Sequence, residues 1–245
     1  MKILSAIILI AIVLVGCNKE SSSETDLAPL KISFNLQAFG APIDTTVQYT
    51  NNSGEKFKIS TFKFYVSMIE AVNSSNNIRA TETESYHLVD LSDPATHQFT
   101  VSLKNGIYDK LNFIIGVDSV RNVSGAQTGA LDPIHGMFWT WNTGYIFAKL
   151  EGKSPSSTAP FQMFTYHIGG FKTGENAIRT ISLPAQIQIG KTNELVINTD
   201  VERWFDGVKT ISIASKASIM SPGGPALQMA DNYATMFSVY KVVNP

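Results

Sequence analysis

Phe62-Lys63-Phe64-Tyr65-Val66-Ser67-Met68-Ile69-Glu70 is the stretch that decides the fold. It is dense in aromatic and β-branched side chains, which suit a pleated, packed surface. The turn formers Asn73-Ser74-Ser75-Asn76-Asn77 close it, so it reads as a central strand. Upstream, Phe57, Ile59 and Thr61 alternate with other residues behind the turn signal Asn51-Asn52-Ser53-Gly54, and Ile32, Phe34 and Leu36 do the same in a first strand that starts at Lys31. Downstream, further strands are predicted at 85–91, 98–103, 110–117, 137–150, 162–168, 177–183, 192–200 and 233–242, with Gly, Pro, Asn and Ser clusters between them. Helical spacing is confined to short turns within 201–205 and 218–235. No βαβ unit, Gly-rich phosphate loop or internal repeat interrupts the rhythm. The pattern implies an all-β fold: an antiparallel β-sandwich or barrel-like single domain with long loops at 119–136, 152–160 and 221–231.

The amino-terminal end is of another kind. One positive charge at Lys2 precedes the apolar run Ile3–Val15, which is shorter than the roughly 20 residues a membrane-spanning helix needs. The run ends in Leu14-Val15-Gly16-Cys17, which resembles the lipobox of bacterial lipoproteins. On this reading residues 1–16 are a cleaved signal peptide, Cys17 is acylated, and 17–30 form a polar tether to a β domain over 31–245. Asn18, rather than Asp, follows the cysteine, which favours the outer membrane over inner-membrane retention. The expected location is the cell envelope, held through the lipid anchor, on the periplasmic or the surface face.

Cys17 is the sole cysteine, so the mature domain has neither a disulfide framework nor a thiolate metal site. The formal charge of −1 becomes −2 once Lys2 leaves with the signal peptide, and no Lys/Arg cluster stands out, which argues against nucleic acid as a partner. Nucleophilic catalysis finds little support: there is no Gly-x-Ser-x-Gly elbow and no cysteine nucleophile, so an enzyme is not expected.

Four histidines remain: His87, His97, His135 and His167. None belongs to a His-Glu-x-x-His pattern, and each taken singly is more simply a packing or solvated residue. His97 follows Asp93-Pro94-Ala95-Thr96 as a loop residue. His135 ends a long loop, one residue before the densest aromatic stretch, Gly136-Met137-Phe138-Trp139-Thr140-Trp141-Asn142-Thr143-Gly144-Tyr145, and His167 precedes Ile168-Gly169-Gly170. In an unbroken strand Trp139 and Trp141 share a face, and Tyr145 joins them unless Asn142-Thr143-Gly144 bends the chain.

These stretches, with Phe64–Ile69, Tyr86-His87-Leu88-Val89-Asp90-Leu91 and Gly106–Val117, occur in the order found in the MbnP-like family, and the chain resembles that family over most of 31–240. The family is named for the periplasmic partner protein of methanobactin operons and is common among Bacteroidetes lipoproteins. The resemblance implies an all-β domain and copper as the cofactor. It also implies that one tryptophan, Trp139 or Trp141, is oxidised to kynurenine by a diheme peroxidase of the MauG type. His135 and His167 are then the implied imidazole ligands, with His87 a further candidate, since imidazole suits copper. Met220 and Met229 are soft thioethers near the carboxy terminus. A TonB-dependent receptor is the partner expected if the protein serves uptake. The alternative is a surface binding module for a protein or small ligand, with no metal and purely structural tryptophans.

Overall fold

The computed structural model describes residues 26–82, 84–142 and 144–245, so the signal segment and Cys17 lie outside the described residues. Among the described residues fourteen strands make two sheets. In the first sheet β1 (Leu27–Ala38) is flanked by β12 (Glu194–Asp200) and β7 (Gln98–Lys104). The short β2 (Ala41–Pro42) hairpins back onto β1, and β14 (Phe237–Val243) lies outside β12. The second sheet runs β11 (Arg179–Ile189), β8 (Gly106–Ile115), β4 (Lys56–Asn73), β9 (Ile146–Lys153), β10 (Met163–Gly169) and β13 (Ser218–Ile219). Short β3 (Tyr49–Thr50), β5 (Ile78–Thr81) and β6 (Tyr86–Asp90) pair with β4. The expected all-β sandwich is present, and the sheets do not close into a barrel.

Alternation builds the core. On β1 Leu30, Ile32, Phe34, Leu36 and Ala38 all point inward and are buried, and Leu195 and Ile197 on β12 continue the layer. Phe34 meets Phe64 of β4 at 5.7 Å and Phe113 of β8 at 6.3 Å between ring centroids, edge to face, so a few phenylalanines join the two sheets. Short helices close the edges: α1 (Ser119–Val123), α2 (Glu202–Phe205) and α3 (Gly224–Tyr233), the last two locked by Trp204 against Tyr233.

Four differences from the sequence reading have physical causes. The two strands expected at 57–70 are one 18-residue strand, because a register shift between Ile59 and Thr61 returns Phe62 and Phe64 to the inner face. The first strand takes in Leu27–Leu30, assigned above to the tether. Buried Leu30 secures it, and Pro29 is tolerated because pairing with β12 begins only at Lys31. The sheets are not purely antiparallel: β1 and β12 run parallel, which the long excursion through the second sheet permits. The strand predicted at 137–150 begins only at Ile146. Before it the chain turns back on itself, with Trp139 N bonded to Gly144 O at 3.2 Å.

Candidate functional site

On its inner face the second sheet meets the first; its outer face is covered by the chain between β8 and β9. That excursion, 116–145, is held by hydrogen bonds reaching up from the strands. Ser67 Oγ donates to Gly116 O (2.9 Å), Tyr65 OH to Ala130 O (3.0 Å) and Lys63 Nζ to His135 O (3.2 Å). Lys149 Nζ donates to Gly136 O. Inside the excursion buried Asn122 caps Val117 O through its amide and accepts from Tyr145 N at 2.8 Å, while Tyr145 OH donates to Leu131 O at 2.9 Å. Burial pushes the Tyr65 hydroxyl well above the ordinary phenol range, so it stays a neutral donor. Asp132 caps the one-turn helix Pro133–His135 by accepting from Ile134 N, and Gly136, at φ +68°, turns the chain sharply out of it. The glycine between His135 and the aromatic stretch therefore sends the two in different directions.

Trp139 and Trp141 end up in contact, with ring centroids 5.8 Å apart. Trp139 is 3% exposed and its indole Nε1 is buried with no hydrogen-bond partner among the described residues, whereas Trp141 is 60% exposed. The Trp139 ring lies on Gly169 of β10, where a Cβ would come within 2.8 Å of it. Two residues back along the same face of β10 is His167, whose Nε2 meets Glu151 Oε1 on β9 at 2.6 Å. That hydrogen bond is the main reason the Glu151 carboxyl is held down at about 2, and Thr61 and Lys149 add to it against the opposing effect of burial.

His135 lies elsewhere. Its ring lines a cavity of about 260 Å³ together with His87, Tyr86, Asp90, Phe99 and Ala130. His87 stacks flat on Phe99 at 3.6 Å, and its Nε2 faces Glu82 Oε2 at 3.3 Å; His135 Nε2 faces Gly129 O at 3.1 Å. Lys63 pairs with Asp90 at 2.8 Å on the cavity wall. Burial would raise the Asp90 carboxyl, but Lys63 and Ser92 outweigh it and hold the group below its ordinary value.

The structure thus joins His135 with His87 and not with His167. In the register, His167 lies opposite Lys149, Lys149 opposite Lys63, and Lys63 opposite Asp90, so β9 and β4 stand between β10 and β6. At about 4.8 Å per strand that is roughly 14 Å. His97 bonds Asp90 O at 2.9 Å; Met229 is buried in α3 and Met220 is 40% exposed on the strand end beyond β13. Glu82, Gly129 and Glu151, which orient the three imidazoles, were not singled out in the sequence. Glu151 and His167 are 16 residues apart, and only the β9–β10 register brings them together.

Among the described residues no three of His, Cys, Asp and Glu are grouped to hold a metal. The two imidazoles of the cavity nonetheless suit copper by donor type. Each presents Nε2 to an oxygen that only accepts, a carboxylate for His87 and a carbonyl for His135. In a neutral ring whose Nε2 proton goes to such an oxygen, Nδ1 keeps the lone pair, the arrangement that metal-binding histidines adopt.

A two-sheet β domain with a capped outer sheet face, a contacting tryptophan pair and, apart from it, a cavity lined by two imidazoles defines the class. The MbnP family model matches residues 28–221, and the chain belongs to that family. Among solved structures, MbnP from Methylosinus trichosporium shares the fold, with a TM-score of 0.58 at 15% identity over 87% of this chain and 98% of that one. No curated protein matches.

Proposed function

We propose that this protein is an exported, lipid-anchored member of the MbnP family that binds copper and passes it on at the His87–His135 cavity, in a binding rather than a catalytic role. One observation carries the reading. Two histidines 48 positions apart in sequence line one cavity, each with Nε2 given to an oxygen acceptor. Copper would supply a Lewis-acidic, redox-active centre there. Two protein ligands leave positions open to an incoming or departing ligand, which fits transfer better than storage. Phe99 fixes the plane of His87, and the Asp132 cap fixes the turn that carries His135.

The tryptophan pair serves the same reading. Trp141 is exposed where a diheme peroxidase could reach it, and its contact with buried Trp139 offers a route for an oxidising equivalent into the domain.

The test is copper titration of residues 26–245 beside H87A/H135A and, separately, H167A. Stoichiometric copper in the parent and in H167A, lost in H87A/H135A, is the expected result. Copper lost only in H167A would move the site to the tryptophan side. No copper in any of the three, with folding intact, would overturn the copper reading in favour of a module whose cavity takes a small organic ligand.

A further inference from the structure

The exposed aliphatic side chains at one end of the sandwich are arranged around the point where the chain enters it. Leu27 opens β1 and is 49% exposed; opposite it in the register is Lys104, the last residue of β7. Asn105 bonds Asp26 through its backbone N–H (2.8 Å), and two residues later Ile107 is 64% exposed. Asn73 Nδ2 donates to Ile107 O at 2.9 Å and pairs with Ile78, itself 50% exposed. Leu27, Ile107 and Ile78 therefore form one connected rim. Beside it a recess of about 420 Å³ is lined by Ile107, Ile187, Lys191 and Pro245. Lys191 is exposed at the recess, and Lys104 is exposed on the rim, its Nζ 3.8 Å from Asp26 Oδ2 in a solvent-open pair that leaves the ammonium accessible.

We infer that this end of the sandwich rests on the bilayer surface, with Leu27, Ile78 and Ile107 dipping into the interface and Lys104 and Lys191 reaching headgroup phosphates. The inference rests on the anchored reading of Cys17. Asp26 lies nine positions after Cys17, so even fully extended the chain between them reaches about 30 Å. Of the two ends of the sandwich, the one bearing Asp26 is held against the membrane at high local concentration. Side chains that would bind a bilayer weakly on their own then bind within a tethered molecule. The basic side chains match the interface, since their stems lie along apolar surface while the ammonium groups stay at headgroup level.

The placement orients the domain. β8 starts at this rim and runs ten residues away from it, about 30 Å, to the excursion that carries Trp141 and His135. The candidate site therefore faces away from the membrane, open to soluble partners.

The full-length acylated protein, reconstituted in phosphatidylcholine vesicles, provides the test. Its only native thiol is Cys17, which acylation blocks, so single substitutions I78C, I107C and, at the opposite end, V208C accept an environment-sensitive fluorophore cleanly. The expected result is blue-shifted emission at positions 78 and 107, quenched by nitroxide-bearing lipids, with water-like, unquenched emission at 208. Water-like emission at all three on vesicles that carry the protein by flotation would overturn the inference and leave the anchor standing. Failure to float, with no acyl mass on Cys17, would overturn the anchored reading and the inference with it.

Discussion

Trp139 and Trp141, two residues apart and in ring contact at 5.8 Å, occupy opposite environments: one is 3% exposed and seated on Gly169, the other 60% exposed. The difference has energetic consequences. A Cβ at Gly169 would lie 2.8 Å from the Trp139 ring and 2.4 Å from Tyr145 O, and the backbone oxygen cannot swing aside. G169A is expected to cost about 1–3 kcal/mol by overpacking. W139A is expected to cost about 3–5 kcal/mol through the cavity it leaves, and W141A to fall within about 0.5 kcal/mol of the parent. Urea unfolding midpoints read all three. A W141A variant as unstable as W139A would show that the exposed ring is structural and remove the case for it as a point of access.

Glu55 makes the most heavily bonded buried carboxylate described. It accepts from Asn51 Nδ2 (2.8 Å), Ser212 Oγ (2.8 Å), Ile213 N (2.7 Å) and Ala214 N (2.8 Å), and so ties the turn before β4 to the 212–214 segment. Burial alone would raise its pKa, yet these donors outweigh burial and set it below the ordinary 4.5. A carboxylate depressed in the folded state stabilises above its unfolded pKa, and that contribution is lost as pH falls through the folded value. E55Q turns an NH2 toward backbone N–H donors and is expected to cost about 1–3 kcal/mol at neutral pH. It should also flatten the stability curve in the acid range below 4.5. Denaturant midpoints taken from pH 7 down to pH 3 check both; a parent and variant that lose stability in parallel would refute the assignment.

Asp200 organises the tightest turn of the first sheet. Its Oδ1 accepts from Phe39 N (2.9 Å) and Glu202 N (3.0 Å), and its Oδ2 from Gly40 N (2.7 Å). Phe39 and Gly40 both have positive φ, at 56° and 76°, so the β1–β2 hairpin places a bulky residue where glycine or asparagine is preferred. Three donors on one carboxylate, together with stacking of Phe39 on Tyr49, hold it there. D200N keeps the shape but sets an amide N–H against Gly40 N–H, and is expected to cost about 1–2 kcal/mol, part of it recovered by solvent. Faster amide exchange at Phe39 and Gly40 in D200N is the direct readout, and unchanged protection would show that the turn holds itself.

Much of the fold is legible in the sequence because period-two alternation is a local property. The inward row on β1 and the paired aromatics of β4 announce themselves. What alternation cannot show is register, and the site depends on register. His135 and His167 look like natural partners in a list of histidines, yet it is His87 that shares a cavity with His135, while β9 and β4 stand between His167 on β10 and His87 on β6. The aromatic stretch 137–145 has the composition of a strand and is mostly a turn, because Gly144, at φ +114° and packed against Asn122 Oδ1, breaks the strand direction. That contact links positions 22 apart and leaves no local signature. Conversely, the possible bend at Asn142-Thr143-Gly144 was visible in the residue types themselves, and Trp139 N bonds Gly144 O across it.

The His167–Glu151 pair gives a prediction that depends on the sign of a linkage. Glu151 is held at about 2, chiefly by the hydrogen bond from His167. Its stabilising contribution is therefore complete at neutral pH, and it is lost as pH falls from the ordinary carboxylate value of 4.5 toward 2. In H167A the leading cause of the depression is gone while Thr61 and Lys149 remain, so the Glu151 carboxyl should titrate between about 2 and 4.5. Acid unfolding should accordingly begin at higher pH in the parent than in E151Q when each is compared with its own neutral stability, because the amide has no charge to lose. Carboxyl chemical shifts followed by NMR through the acid range would assign the titration. If Glu151 keeps its low value in H167A, the lysine and threonine must hold the charge by themselves, and His167 becomes free to serve as a ligand without cost to its neighbour. A return toward 4.5 would instead show that any metal drawing on His167 Nε2 must first displace a carboxylate that binds it strongly. The Nε2 bond itself does not distinguish the two sides, since His87, His135 and His167 all make one to an acceptor oxygen; the cavity side differs in bringing two imidazoles together, which is what the proposed copper reading rests on.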